Sequence, residues 1–492
     1  MRIFLNNKIY KSLHITLMKP IPLHHVESSS LIVKEDLDQH LVKEIYERYS
    51  GAKWRGTMNL TASILGSAIL AMPHACNNAG ILFFIIFNTA AAYIAHSTAV
   101  FLVRTIRFLN PHGEPEDTLS SSILQEKARY PGLAKQIFGS IGERLVQLGL
   151  VLSLFGACIG HTLVVGDIFT PLFGYWFPRI GFSRILIENL FVWALIFPIC
   201  AFNKNLSNLR FASAGAVLSI GFFSFTIIVC SLYILSGPVE RRDEILSTGL
   251  LSANLEGPHF FPVDFYGLFR SIPLILYAYD MHFNAVPIHE DMKVDIFPPF
   301  NSVEAFIESS WDSFTLACMI TAVSGLAGYL IFLNITQPDI LLNFAVGGSS
   351  IATVMNFVRG LYGIGIALTF PMLFWELRRV NFVWIYGTDH VSNFDFVFLT
   401  WLIFVLVCIC ASMMENIATI FGLAGSTIIP LLDFVLPSLL YIKSGAHGKT
   451  NDKLFAILIG LGGLLMIPIG LGIWTIDRLD SQSVRSEISQ NN

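Results

Sequence analysis

The sequence predicts an all-α protein that crosses a membrane about eleven times, and three observations carry that prediction. The first is composition. The 492 residues are 54% hydrophobic and only 13% charged, with a mean hydropathy of +0.63, too little charge to cover the surface of a water-soluble globule of this size. The second is a series of apolar runs of spanning length, separated by short polar segments. The third is that two of these runs, the first and the sixth, carry polar and helix-breaking residues at their centres, five spans apart. That is the interval expected if spans one to five and six to ten are inverted repeats.

Taken in order, residues 1–53 are polar, lack the apolar core of a cleavable signal peptide and read as a mobile cytoplasmic tail. A short amphipathic stretch at 41–49 could lie on the membrane face. The membrane domain is expected over 54–475 and a short tail over 476–492. Span two is expected at about 82–103. A polar loop follows, with residues 131–139 (P-G-L-A-K-Q-I-F-G) as a short interfacial helix. Spans three to five are placed at 145–170, 185–202 and 211–235. After a polar segment at 236–263 come span six (266–288) and spans seven to eleven at 312–333, 352–376, 396–414, 417–441 and 454–474.

With the amino terminus inside, basic residues near span ends fall mostly on the inner side, from Lys43, Arg48, Lys53 and Arg55 to Lys443, Lys449 and Lys453. Arg179, Arg184, Arg241, Arg242, Arg478 and Arg485 fall outside. This asymmetry obeys the positive-inside rule. The Asn334-Ile335-Thr336 sequon then lies outside, making the protein a candidate glycoprotein, whereas Asn205-Leu206-Ser207 lies inside and should stay bare. The net charge of −4 gives no basic field for a nucleic-acid partner. The seven cysteines, Cys76, Cys158, Cys200, Cys230, Cys318, Cys408 and Cys410, lie in or beside apolar runs and read as packing residues, with neither a disulfide framework nor a metal site implied.

The chemistry concentrates in the two unusual spans. Residues 56–80 carry Asn59, Thr61, Ser63 and Ser67 around a central Gly66-Ser67 step. A helix interrupted there would expose backbone that lipid cannot satisfy, so the break must face a cavity or ligand. Its second half would present free N–H groups and a positive dipole end suited to a carboxylate. The alternative is a glycine packing contact between helices. In span six, Y-A-Y-D-M-H-F-N-A-V-P puts Asp280, His282 and Asn284 together at depth. A charged side chain there costs several kcal/mol, roughly 3 on insertion scales, and usually lines a cavity. Two broken spans in repeat-related positions favour a transporter over a packing motif.

Four stretches resemble the amino acid/auxin permease family, which includes sodium-coupled neutral, proton-coupled and vacuolar amino acid transporters. They are N-L-T-A-S-I-L-G-S-A-I-L-A-M-P-H-A at 59–75, H-F-N-A-V-P-I-H-E-D-M at 282–292, A-L-T-F-P at 367–371 and F-G-L-A-G-S-T at 421–427. The resemblance covers about 53–475. It implies a LeuT-type five-plus-five inverted repeat that moves amino acids by alternating access, driven by Na+ or H+ and requiring no other cofactor. Carried over by position, Gly66 and Ser67 cap the substrate carboxylate, and Asn59 and Thr369 fall near a cation site between spans one and eight. Two departures weaken the sodium reading: Ala62 stands where the sodium-coupled branch has a second Asn, and that branch's Cys pair is missing from 236–263. Asp280, where the family usually has an apolar residue, adds a protonable group.

The candidate substrate-binding residues are therefore Ser63, Gly66, Ser67, Asp280, His282 and Asn284, with Asn59 and Thr369 as ion-coupling candidates. Each has a bland alternative. Asp280 could be paired to a polar neighbour for structure, His282 could simply hold span six in place, and Thr369 could bond back to its own helix ahead of Pro371. His161 is a further cavity candidate, and Asp167 reads as a solvated group near the outer interface. Glu290 and Asp291, at the inner end of span six, read as ordinary solvated charges. The glycines of span eleven read as helix packing, since no Lys-Ser/Thr follows to make a phosphate loop. No nucleophile–base pair, metal cluster or nucleotide fingerprint suggests an enzyme. The expected function is secondary active transport of neutral amino acids in the plasma membrane or a vacuolar or lysosomal membrane, with substrate and lipid as partners. A membrane amino acid sensor using the same binding site is the rival.

Overall fold

The computed structural model describes residues 28–109, 129–202, 210–237, 255–296, 300–347, 349–388, 391–414 and 416–490, together with Arg242, residues 244–247 and Leu250. Asn205 and its sequon lie outside the described residues. Among the described residues, nine helical segments are long and apolar enough to cross a membrane unaided: 81–109, 130–176, 184–201, 215–235, 302–335, 350–386, 393–413, 417–444 and 450–476. They coincide with expected spans two to five and seven to eleven. Spans one and six are not among them, and each is broken: Ser28–Ile64 is followed by a tight turn of helix Ser67–Ala71 and then Met72–Ala79, and Phe265–Tyr277 is separated from His282–Lys293. Together these make eleven crossings in the predicted order.

The ends of the elements differ from expectation in instructive ways. Helix is already present at Ser28 and runs unbroken into the first half of span one, so the expected tail boundary at 53 falls inside a helix. The last helix likewise continues to Gln490. The expected interfacial helix at 131–139 is present and turns at Gly139 into span three; the left-handed φ of 71° there is one that glycine adopts without penalty.

In lipid the hydrophobic effect does not draw helices together, so close contact between small residues and large side chains takes over. A Cβ added to Gly160 would lie 2.6 Å from the ring of Phe421, one at Gly325 would lie 2.4 Å from Phe84, and one at Gly425 would lie 2.0 Å from the Pro273 carbonyl oxygen. Gly463 of span eleven faces Phe434 in the same way, which supports the packing reading of that glycine run. All seven cysteines are free thiols.

On the outer face, Ile81 and Leu82 donate backbone hydrogen bonds to the carbonyls of His259 and Phe260 (3.0 Å each). Gly80, at φ 73°, lies so close to the Phe261 backbone that any side chain would collide. Segments 245–247 and 343–345 pair edge to edge. Fully buried Arg359 stitches this cap to span eight by donating to the carbonyls of Leu341, Phe344 (2.6 Å) and Ala345 (3.4 Å). Asn334 is part of the cap: its Oδ1 accepts from the Glu256 N–H (3.1 Å), and Thr336 of the sequon is buried. Asn334 itself is half-buried.

Candidate functional site

The two breaks meet beside one cavity of about 940 Å³, within the size range of small-molecule sites. Its walls come from both broken spans and from spans three and eight. In span one the upstream helix ends when Leu65 donates to Thr61 (2.9 Å). Gly66 is then extended (φ −122°, ψ −151°), and a new turn starts at Ser67. Any residue can adopt that backbone, so the glycine matters for space: a Cβ at Gly66 would meet nothing within 4 Å and would project into the void. The carbonyl freed by the break accepts from the Tyr362 hydroxyl (3.2 Å). The hydroxyls of Thr61 and Ser63 bond back to the carbonyls of Thr57 (2.7 Å) and Asn59 (2.9 Å). Ser63 also accepts from Asn284 Nδ2 (3.0 Å), joining the two broken spans directly.

In span six the backbone turns over 278–281, with Asp280 N–H donating to Tyr277 (3.3 Å). Tyr279 anchors this turn from behind. Its hydroxyl donates to Asn88 of span two (2.8 Å) and lies 3.0 Å from Thr321 of span seven. The Asp280 carboxylate lines the cavity. Its Oδ2 accepts from Ser153 of span three (2.6 Å), while Oδ1 is buried with no hydrogen-bond partner. A buried carboxylate oxygen without a partner is costly to maintain.

Ser63, Gly66, Ser67, Asp280, Asn284, Asn59 and Thr369 all line this one cavity, as does His161. His282 does not. It begins the second half of span six, and Asn284, two residues on and therefore about 200° round the helix, is the one that faces the void. His282 is fully buried against span two and span ten. Thr369 lines the cavity, but its hydroxyl donates to the Ile366 carbonyl one turn back (2.9 Å), the back-bonded arrangement weighed against a cation ligand. His161 donates from Nδ1 to Ala157 (2.9 Å) and leans on Phe370. Asp167 is buried, not solvated, and pairs with Arg184 at 3.1 Å. Asp291 lines the cavity and Glu290 pairs with Lys293 (3.5 Å), so the two acidic neighbours part company.

The cavity opens on the face that holds the start of span one, the face expected from the basic residues to be cytoplasmic. Trp54 and Arg55 of span one, Arg129, Asp291, Asp295 and Glu376 line that end. Arg55 pairs with Asp295 there, and Arg129 with Glu376 (3.2 Å). Towards the outside the way is shut by the 67–79 half of span one, the 265–277 half of span six and the 255–261 segment above them. Tyr277 stacks on Phe421 at 4.3 Å in this closed half. Among the described residues no group of three His, Cys, Asp or Glu side chains gathers as a metal set.

Residues 50–470 match the family described as transmembrane amino acid transporter protein. The chain belongs to this family. Among its transmembrane amino acid transporter relatives, amino acid transporter AVT6C of Arabidopsis thaliana is 25% identical over 415 residues, covering 80% of this chain and 86% of that one. Solute carrier family 38 member 10 of Rattus norvegicus is 23% identical over 432 residues, which is 85% of this chain but only 35% of that relative's length. Among solved structures, MhsT in complex with L-phenylalanine aligns with a TM-score of 0.53 at 11% identity, over 85% of this chain and 98% of that one. That likeness shows the fold: this family member is a multi-pass membrane protein of the LeuT type.

Proposed function

We propose that the chain is a secondary active transporter of neutral amino acids that works by alternating access about the breaks in spans one and six, with a proton as coupling ion and Asp280 as its carrier. The observation that carries the reading is the cavity itself. Two interrupted helices meet there, beside one protonable side chain that has an oxygen to spare. The free N–H groups beginning at Ser67 suit the substrate carboxylate, and the carbonyl end of the Ser28–Ile64 helix suits its ammonium. Leu154, Ala157, Tyr277, Phe283 and Ile288 offer apolar contact to a neutral side chain. The lining cations, Arg55 and Arg129, stand at the mouth with carboxylate partners.

A proton suits this site better than sodium. Ala62 lines the cavity where the sodium-coupled branch carries a second Asn, which removes one oxygen ligand from a sodium site there. On this reading the opening beside Trp54 and Arg55 corresponds to the inward-facing end of the alternating-access cycle. That AVT6C is named an amino acid transporter supports the substrate class. Radiolabelled amino acid uptake into proteoliposomes under an imposed proton or sodium gradient tests the reading. Accumulation above equilibrium supports it, whereas saturable binding without accumulation marks a sensor.

A further inference from the structure

A second carboxylate that this cycle does not use lies behind the cavity. Asp433 sits in the wide-turned segment Pro430–Val435 of span ten and is 1% exposed. Such π-helical insertions disturb the regular ladder and often mark functional positions. Against it stands His282, whose Nδ1 is 3.0 Å from Asp433 Oδ1. On the other side of the ring, Nε2 lies 2.8 Å from Thr98 Oγ1 in span two. The Thr98 hydroxyl already donates to the carbonyls of Ile94 (3.0 Å) and Ala95 (3.1 Å), so towards the imidazole it accepts and Nε2 carries the hydrogen. A neutral His282 therefore turns a bare Nδ1 towards a carboxylate oxygen. Neither atom has a hydrogen-bond partner as the side chains stand; two acceptors 3.0 Å apart in a dry interior repel each other, and one proton held by the pair relieves that repulsion. Whether the proton is written on the ring or on the carboxyl is immaterial, since it belongs to the pair.

We propose that His282 and Asp433 hold one proton between them as a latch, clamping the second half of span six to spans two and ten, and that loss of this proton frees the half-helix to move. Both are positioning residues for the Asp280 site, and the proposal rests on the transport reading above. The groups facing the pair are few. Span six contributes Asp280, two residues before His282. The interfacial helix before span three contributes Tyr130, whose hydroxyl donates to the Leu432 carbonyl (2.6 Å), and buried Tyr441 lies about two turns further along span ten. In span two, His96 is engaged with Ser310 of span seven (2.9 Å). Span eleven meets the 430–435 segment through Gly463. Among the described residues no lysine or arginine pairs with Asp433.

Hydrogen–deuterium exchange on the full chain in lipid nanodiscs tests the latch directly, at two pH values bracketing the transition and corrected for intrinsic exchange rates. In wild type, amides of 282–293 and 430–444 should lose protection together at the higher pH. In Asp433→Asn, whose amide N–H donates to the bare Nδ1 without a shared proton, protection should not change with pH. Substrate counterflow in proteoliposomes supplies a second reading. Wild type should vary by about tenfold per pH unit on the limb set by one proton, while Asp433→Asn should retain counterflow with that limb flattened. Wild-type protection that is the same at both pH values, or an Asp433→Asn profile superimposable on wild type, overturns the proposal. If Asp433→Asn is not recovered folded, the wild-type exchange data alone decide. Absence of wild-type counterflow at every pH would sink the transport reading instead, and leaves the exchange measurement to judge the latch.

Discussion

Replacing Gly66 by valine separates folding from function at the break in span one. The backbone there, φ −122° and ψ −151°, is one a β-branched residue adopts readily, and an added Cβ meets no atom within 4 Å. No clash opposes the added Cβ, and loss of glycine flexibility in the unfolded chain stabilises by about 0.4–1 kcal/mol. The two methyl groups instead occupy the cavity beside the free N–H of Ser67. If they deny the substrate carboxylate one charge-assisted hydrogen bond, the loss is about 1.5–3 kcal/mol, or roughly 10- to 100-fold in affinity at 1.4 kcal/mol per decade. The assay is substrate binding to purified protein, alongside its thermal unfolding temperature. Gly66→Val should keep its unfolding temperature and lose binding, with Gly66→Ala falling between. Wild-type binding in Gly66→Val would show that the substrate lies elsewhere, and a large drop in unfolding temperature would show that the glycine is a packing residue after all.

Two further predictions concern the outer cap. Arg359→Met leaves the carbonyls of Leu341, Phe344 and Ala345 without their buried donor, at a cost of roughly 2–4 kcal/mol; it should lower the unfolding temperature and speed proteolysis in 340–345. Asp339, in the same cap, has its carboxyl pushed up from the ordinary 3.8 to about 6, by burial first, against the Leu341 N–H bond and the charges of Arg359 and Arg184. Because the folded value is raised, its contribution to stability is fully present below about pH 4 and is lost as pH rises through about 6. Asp339→Asn keeps the cap at Leu341 and should be less sensitive than wild type to a shift from pH 5 to pH 7.5. Equal pH sensitivity of the two unfolding temperatures would contradict the assignment.

Much of the site was legible because membrane physics makes anomalies conspicuous. A glycine–serine step flanked by hydroxyls, and an aspartate in mid-span, are hard to place against lipid, and both lie at the cavity. The failures have equally plain causes. His282 was grouped with Asp280 and Asn284 because the three are close in sequence, but helical geometry sends it to the opposite wall. Thr369, placed by its position in a motif, is not among the failures: it lines the cavity, and its hydroxyl, donating to Ile366, keeps its lone pairs. Asp433 and Arg359 were overlooked although the rule that singled out Asp280, a charge inside a span, applies equally to both. Ser153 carried no signal, since one serine in an apolar helix is unremarkable until its partner is known. Asp167 reads as solvated in the sequence because its partner Arg184 lies across a loop, a contact that residue patterns do not reveal.

The central claim, that this cavity moves amino acids with Asp280 carrying the coupling proton, is tested most directly by Asp280→Asn in proteoliposomes. The substitution preserves size and the hydrogen bond from Ser153 but removes the titratable proton. Under an imposed proton gradient, wild type should accumulate labelled neutral amino acid above equilibrium, and Asp280→Asn should reach equilibrium without accumulation while still exchanging substrate across the membrane. Accumulation driven by a sodium gradient alone, undiminished in Asp280→Asn, would contradict the account. It would make Asp280 structural and move the coupling site to Asn59 and Thr369.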